Sequence, residues 1–134
     1  MPHTLEDHVG EVQLRLGAAS LPGVFEEAAR ALAELMCAEG GEPEGEPVPV
    51  RIGAPDREAL LAAWIDELVF LSETHKRVWV EARIERLTDR ELVAVVRGFE
   101  PAALRTQVKA ATLHGLTIRE TDDGRCEATV VLDV

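Results

Sequence analysis

A chain of 134 residues is long enough to bury one real core. Its 14 Lys and Arg against 25 Asp and Glu leave a net charge of −11. That excludes a broad grip on a nucleic-acid backbone, because such binding is driven by Lys and Arg displacing counterions. A basic protein surface, a cation or a small molecule is the kind of partner that remains.

The chain opens on the polar run Glu6-Asp7-His8-Val9-Gly10-Glu11, which reads as a solvated approach to the first strand. Val12, Leu14 and Leu16 then alternate with Gln13 and Arg15, the pattern of a half-buried strand. Ser20 is a good N-cap for a helix whose apolar residues recur at Leu21, Phe25, Ala28, Ala29, Leu32, Leu35 and Met36. Gly40-Gly41 is expected to end it. Residues 39–49, acidic and rich in Pro and Gly, predict an exposed loop, followed by a short strand at Val48–Ile52. Asp56 caps a second helix with the buried stripe Leu60, Leu61, Trp64, Ile65, Leu68 and Leu71.

The remainder reads as β. Val78 to Glu85 alternates, and Leu92–Val96 is a nearly continuous apolar run that suits a central strand. Gln107–His114 is strand-like, with Gly115 interrupting it. Asp122-Asp123-Gly124 is a hairpin turn, since Asp-Gly tolerates positive φ. Cys126, Ala128, Val130 and Leu132 form the inward face of the last strand. The expectation is an α+β domain over residues 1–134, a two-layer sandwich with two helices packed on one face of a mostly antiparallel sheet.

Familiar catalytic signatures are absent: there is no Walker loop, GxGxxG, CxxC, HExxH or GxSxG. Three Phe, two Trp and no Tyr make no stacking platform for single-stranded RNA. Cys37 and Cys126 lack paired spacing and read as inert thiols of a reducing compartment. No signal peptide or membrane-spanning run is expected, which points to the cytoplasm.

Three clusters could carry chemistry. By strand alternation Glu11 and Asp133 lie off the core faces of the first and last strands, so the two carboxylates converge if those strands are neighbours. If Val134 is the natural terminus, its α-carboxylate sits beside Asp133 and adds a hard oxygen donor. His8 could add a ligand or a base. Lys109, alone in an apolar stretch, reads as a lysine snorkelling from an edge strand, and His114 as a half-buried histidine at a strand bend.

Four stretches in order resemble the archease family. They are His8 to Arg15 followed by Ser20-Leu21 and Phe25-Glu26-Glu27-Ala28-Ala29; Leu60-Leu61 through Trp64-Ile65 and Glu67-Leu68; Val108-Lys109-Ala110 with Thr112 and His114-Gly115-Leu116; and the ending Val131-Leu132-Asp133-Val134. The resemblance implies a protein cofactor, not an enzyme, that promotes guanylylation and turnover of an RtcB-type RNA ligase in tRNA splicing and RNA repair. It also implies a divalent cation, calcium, held by Glu11, Asp133 and Val134, with Lys109 touching nucleotide phosphate or the ligase. Where the family pattern has Asp this chain has Glu11, whose carboxylate is displaced by about a bond length, a shift that the loose geometry of calcium tolerates. Two further readings are a chaperone-like modulator of another tRNA-processing enzyme such as a methyltransferase, and a small metal-dependent enzyme using Glu11, His8 and Asp133.

Overall fold

The computed structural model describes residues 3–8 and 10–134, with the backbone alone for residues 4–8. In chain order the elements are β1 (His3–His8), β2 (Glu11–Ala18), α1 (Leu21–Met36), β3 (Glu44–Gly53), α2 (Arg57–His75), β4 (Val78–Leu87), β5 (Glu91–Phe99), β6 (Ala110–Glu120) and β7 (Cys126–Asp133). The α+β class holds, but the strands divide into two sheets, ordered β1-β2-β7-β6 and β3-β5-β4. Every pairing among the described residues is antiparallel. No helix among them is long and apolar enough to cross a membrane.

Both helices start where their caps predict. Ser20 Oγ accepts the Gly23 amide at 3.2 Å, and Asp56 Oδ1 accepts the Ala59 amide at 2.8 Å. Each cap is worth about 1 kcal/mol. α1 stops at Met36, short of the glycines at 40 and 41, and Cys37 closes it through its amide on the Ala33 carbonyl. α2 runs through the polar stretch to His75, where Lys76 turns left-handed at φ 56°.

The helices pack across both sheets, α1 on β2 and β4, and α2 on β6 and β3. One continuous core results, and its largest fully buried side chain is Trp64. A buried indole needs an acceptor. Trp64 Nε1 donates to the Phe25 carbonyl of α1 at 2.8 Å, and Trp79 Nε1 donates to the Leu68 carbonyl of α2 at 3.2 Å.

Three strand assignments differ from the sequence reading. The polar run before Val12 contributes a strand, β1, which lies along the sheet edge opposite β2. His3 anchors its start to α1, with Nε2 at 2.8 Å from Glu34 and Nδ1 at 3.5 Å from the buried Glu27. β3 begins at Glu44, inside the acidic segment, and stays exposed along most of that stretch. As an edge strand it tolerates Pro47 and Pro49, whose missing amides no neighbour requires. Residues 107–109 are irregular, so β6 starts at Ala110 and continues past Gly115, which takes φ 73° at a register shift between Thr112 and Thr117.

The β6–β7 hairpin turns at the expected residues. Gly124 has φ 84°, and the Thr121 amide donates to the Arg125 carbonyl at 2.8 Å. The Thr121 hydroxyl donates to the Asp123 carboxylate and, with the Arg125 amide, holds that exposed carboxyl below its ordinary range.

Gly98 marks a tight approach between β4 and β5. A Cβ there would stand 2.0 Å from the Val78 carbonyl oxygen, whereas at Gly53 the nearest atom would be 3.4 Å away. Gly98→Ala is therefore expected to cost about 3 kcal/mol or more, and Gly53→Ala to change stability by less than about 1 kcal/mol, as measured by urea unfolding.

Candidate functional site

β2 and β7 are neighbours, and their register places Glu11 directly opposite Asp133. Core-facing Val12 and Leu132 form the next pair, both nearly inaccessible at 4 % and 0 % exposed. Glu11 and Asp133 therefore stand together on the solvent side, and both are exposed. The row continues across the whole sheet, His8 opposite Glu11 and Ala110 opposite Asp133. His8 is thus aligned with the pair by its backbone, while its side chain lies outside what is described.

Backbone bonds lock this end of the sheet. The Val134 amide donates to the Gly10 carbonyl at 3.1 Å, and the Lys109 amide donates to the Asp133 carbonyl at 2.9 Å. Gly10, at φ 73°, makes the β1–β2 turn that presents that carbonyl. Val134 is half-buried and Lys109 exposed. Four of the named residues, Glu11, Asp133, Val134 and Lys109, are thereby brought to one sheet end. His114 is not among them. It lies four residues beyond Ala110, roughly 13 Å at the rise of a strand, and is exposed rather than half-buried. Its amide bonds to Thr112 Oγ1 at 3.1 Å.

Two carboxylates directly opposite each other repel, and neither forms an ion pair among the described residues. No group of three or more His, Cys, Asp and Glu converges among the described residues either. The side-chain oxygen donors at this end are thus this pair. All are hard anionic oxygens, a set whose chemistry fits calcium rather than a thiolate- or imidazole-seeking metal. The Gly10 turn and its bond to Val134 escaped the sequence reading, although a glycine within a largely polar run is itself a turn signal.

A family model described as the Archease protein family (MTH1598/TM1083) matches residues 3–134. Protein archease of Methanosarcina acetivorans is 31% identical over 137 residues, spanning 96% of this chain and 92% of its own. That of Methanopyrus kandleri is 30% identical over 142 residues, covering 100% of both. Among solved structures, the solution structure of Methanobacterium thermoautotrophicum protein 1598 aligns with a TM-score of 0.78 at 30% identity, covering 99% of each chain. The crystal structure of an archease from Thermotoga maritima, named a possible chaperone, aligns at 0.67 with 20% identity over 96% of this chain and 94% of its own. At that identity it shows the fold alone.

The facing carboxylates give a direct test. With no divalent cation and little salt, Asp133→Asn is expected to raise stability by about 0.2–1 kcal/mol, a gain that shrinks at high ionic strength. Urea unfolding at two salt concentrations measures both effects.

Proposed function

The chain belongs to the archease family, and from that membership we propose that it is a protein cofactor of an RtcB-type RNA ligase, promoting guanylylation of the ligase and so its turnover in tRNA splicing or RNA repair. The observation that carries this reading is the family match over residues 3–134 together with Glu11 standing opposite Asp133 at a locked strand end. The net charge of −11 supports it, because a ligase that holds RNA must offer basic surface. The chain then acts by binding rather than by its own turnover, in the cytoplasm alongside the ligase.

In this reading Glu11, Asp133 and the Val134 α-carboxylate would hold a divalent cation, calcium by family resemblance. When bound, the cation supplies positive charge at a strand end that otherwise carries paired anions. Lys109, whose amide joins the Asp133 carbonyl, would meet an anionic group of the ligase or its nucleotide, as a mobile point charge rather than a rigid fork. β2 and β7 hold the two side-chain donors, and the turn at Gly10 holds Val134 beside them.

A second reading, a chaperone-like modulator of another tRNA-processing enzyme such as a methyltransferase, draws its support from the name given to the Thermotoga maritima protein. Both readings require a protein partner, and the ligase assay separates them.

The test follows transfer of labelled GMP from GTP to the ligase. Added wild-type protein is expected to accelerate it, and Asp133→Ala to abolish the acceleration. A ligase whose guanylylation ignores the wild-type protein would overturn the proposal. In calorimetric titration with calcium, Glu11→Ala and a chain extended beyond Val134 should each bind about tenfold more weakly or worse, because affinity follows the charge count of the ligand set. Equal affinity in all three would rule out these ligands.

A further inference from the structure

The aromatic side chains of the chain are three Phe and two Trp. Trp64, Trp79 and Phe25 are buried, and Phe99 is half-buried. Phe70 is 58 % exposed, on the face of α2 turned away from the core. One exposed apolar side chain is ordinary on a surface. Its place and its charged neighbours set this one apart.

Asp66, one turn before Phe70, accepts the Ala111 amide through Oδ1 at 2.7 Å. Further along the helix, Val69 lines the same cavity as Val108. α2 and the segment 108–111 therefore run side by side in opposite directions, and Phe70 is level with the start of that segment. The segment holds Lys109, whose amide is bonded to the Asp133 carbonyl, and Ala110, which stands opposite Asp133 in the sheet. The ring thus lies at the same end of the molecule as the facing carboxylates.

On a helix surface the neighbours of a residue are those three and four away. For Phe70 these are Asp66, Glu67, Glu73 and Thr74, three carboxylates and no cation. None of the three carboxylates forms an ion pair among the described residues, and Lys76 and Arg77, a turn past Glu73, form none with it. The Thr74 hydroxyl donates to the Phe70 carbonyl at 3.0 Å and so is taken up by the helix itself.

That charge pattern selects the occupant. The phosphates of a nucleic acid or of an anionic lipid would be repelled, and so would a second copy of a chain with net charge −11. An aromatic face bracketed by carboxylates fits a cation that also stacks. Arginine does both, because its planar guanidinium lies on rings and is less tightly hydrated than the ammonium of lysine.

We propose that this face of α2 docks a basic segment of the partner protein, with one arginine of that segment stacked on the Phe70 ring and paired with Glu67 and Glu73. The proposal rests on the reading of this chain as acting through another protein, and not on that protein being an RNA ligase. Aromatic and arginine side chains are the residues most often found at the energetic centres of interfaces.

The test titrates the peptide acetyl-Gly-Arg-Gly-Arg-Gly-amide into the isotope-labelled protein and follows amide chemical shifts, beside the same peptide with lysine in place of arginine. The arginine peptide should perturb Glu67, Phe70, Glu73 and Thr74 and bind more tightly than the lysine one. Phe70→Ala should weaken its binding about two- to fivefold, with the melting temperature held within about 2 °C because the ring is exposed. Phe70→Trp should bind at least as tightly as wild type, since indole offers the better face. Glu67→Gln combined with Glu73→Gln should weaken binding at low salt. Unchanged affinity in Phe70→Ala, equal binding of the two peptides, perturbations confined to other acidic surfaces, or stronger perturbation of these amides by an RNA hexanucleotide would overturn the proposal, the last in favour of a nucleic-acid face. No ligase is present in this measurement, so its failure and a failure of the guanylylation assay are separately visible.

Discussion

The register between β2 and β7 is the constraint on which the meeting of Glu11 and Asp133 depends. Eight consecutive partners run unbroken from Glu11↔Asp133 to Ala18↔Cys126. What holds them is burial: Leu14, Leu16, Val130 and Leu132 are between 0 and 3 % exposed, and each such side chain contributes about 1.5–3 kcal/mol. A slip of one residue would turn all of them to solvent. The repulsion between Glu11 and Asp133, about 1 kcal/mol at most, is small beside that. The core thus dictates that two carboxylates meet, and they stay together against their own electrostatics.

The two tryptophans play a comparable part for the helices. Trp64 reaches from α2 to the Phe25 carbonyl of α1, and Trp79 reaches from β4 to the Leu68 carbonyl of α2. Both bonds are buried, where a lost partner costs more than the bond itself is worth. The second has a consequence one turn further on, since it occupies the acceptor that Ser72 would otherwise use. A buried hydroxyl stays unsatisfied because a neighbouring indole was satisfied first.

Much of this was legible in local patterns. The caps at Ser20 and Asp56, the alternation of β2 and β7, the central place of β5 and the turn before Gly124 all follow from nearest-neighbour chemistry. Alternation alone put Glu11 and Asp133 off the core faces, and the pairing of their strands brought the two carboxylates together. β1 was hidden because its residues are polar and its pairing comes from lying along an edge. The division into two sheets was hidden too, because it is a matter of which distant strands pair and leaves no periodicity behind. Ser72 itself carries no local sign, for nothing in the sequence says that Trp79 will take the Leu68 carbonyl.

The carboxylate end separates scaffold from chemistry. Its backbone is bonded on both sides, Val134 to Gly10 and Lys109 to Asp133, so its geometry is set by main-chain bonds and by the core beneath. The side chains of Glu11, Asp133 and Lys109 project from that frame without supporting it, and all three are exposed. Changing them alters charge while leaving the register intact. That independence lets the side chain at position 11 vary in length: the frame fixes the Cα, and Glu rather than Asp changes only where the carboxylate ends. It also means that loss of function at this end, with stability preserved, reports on chemistry rather than on folding.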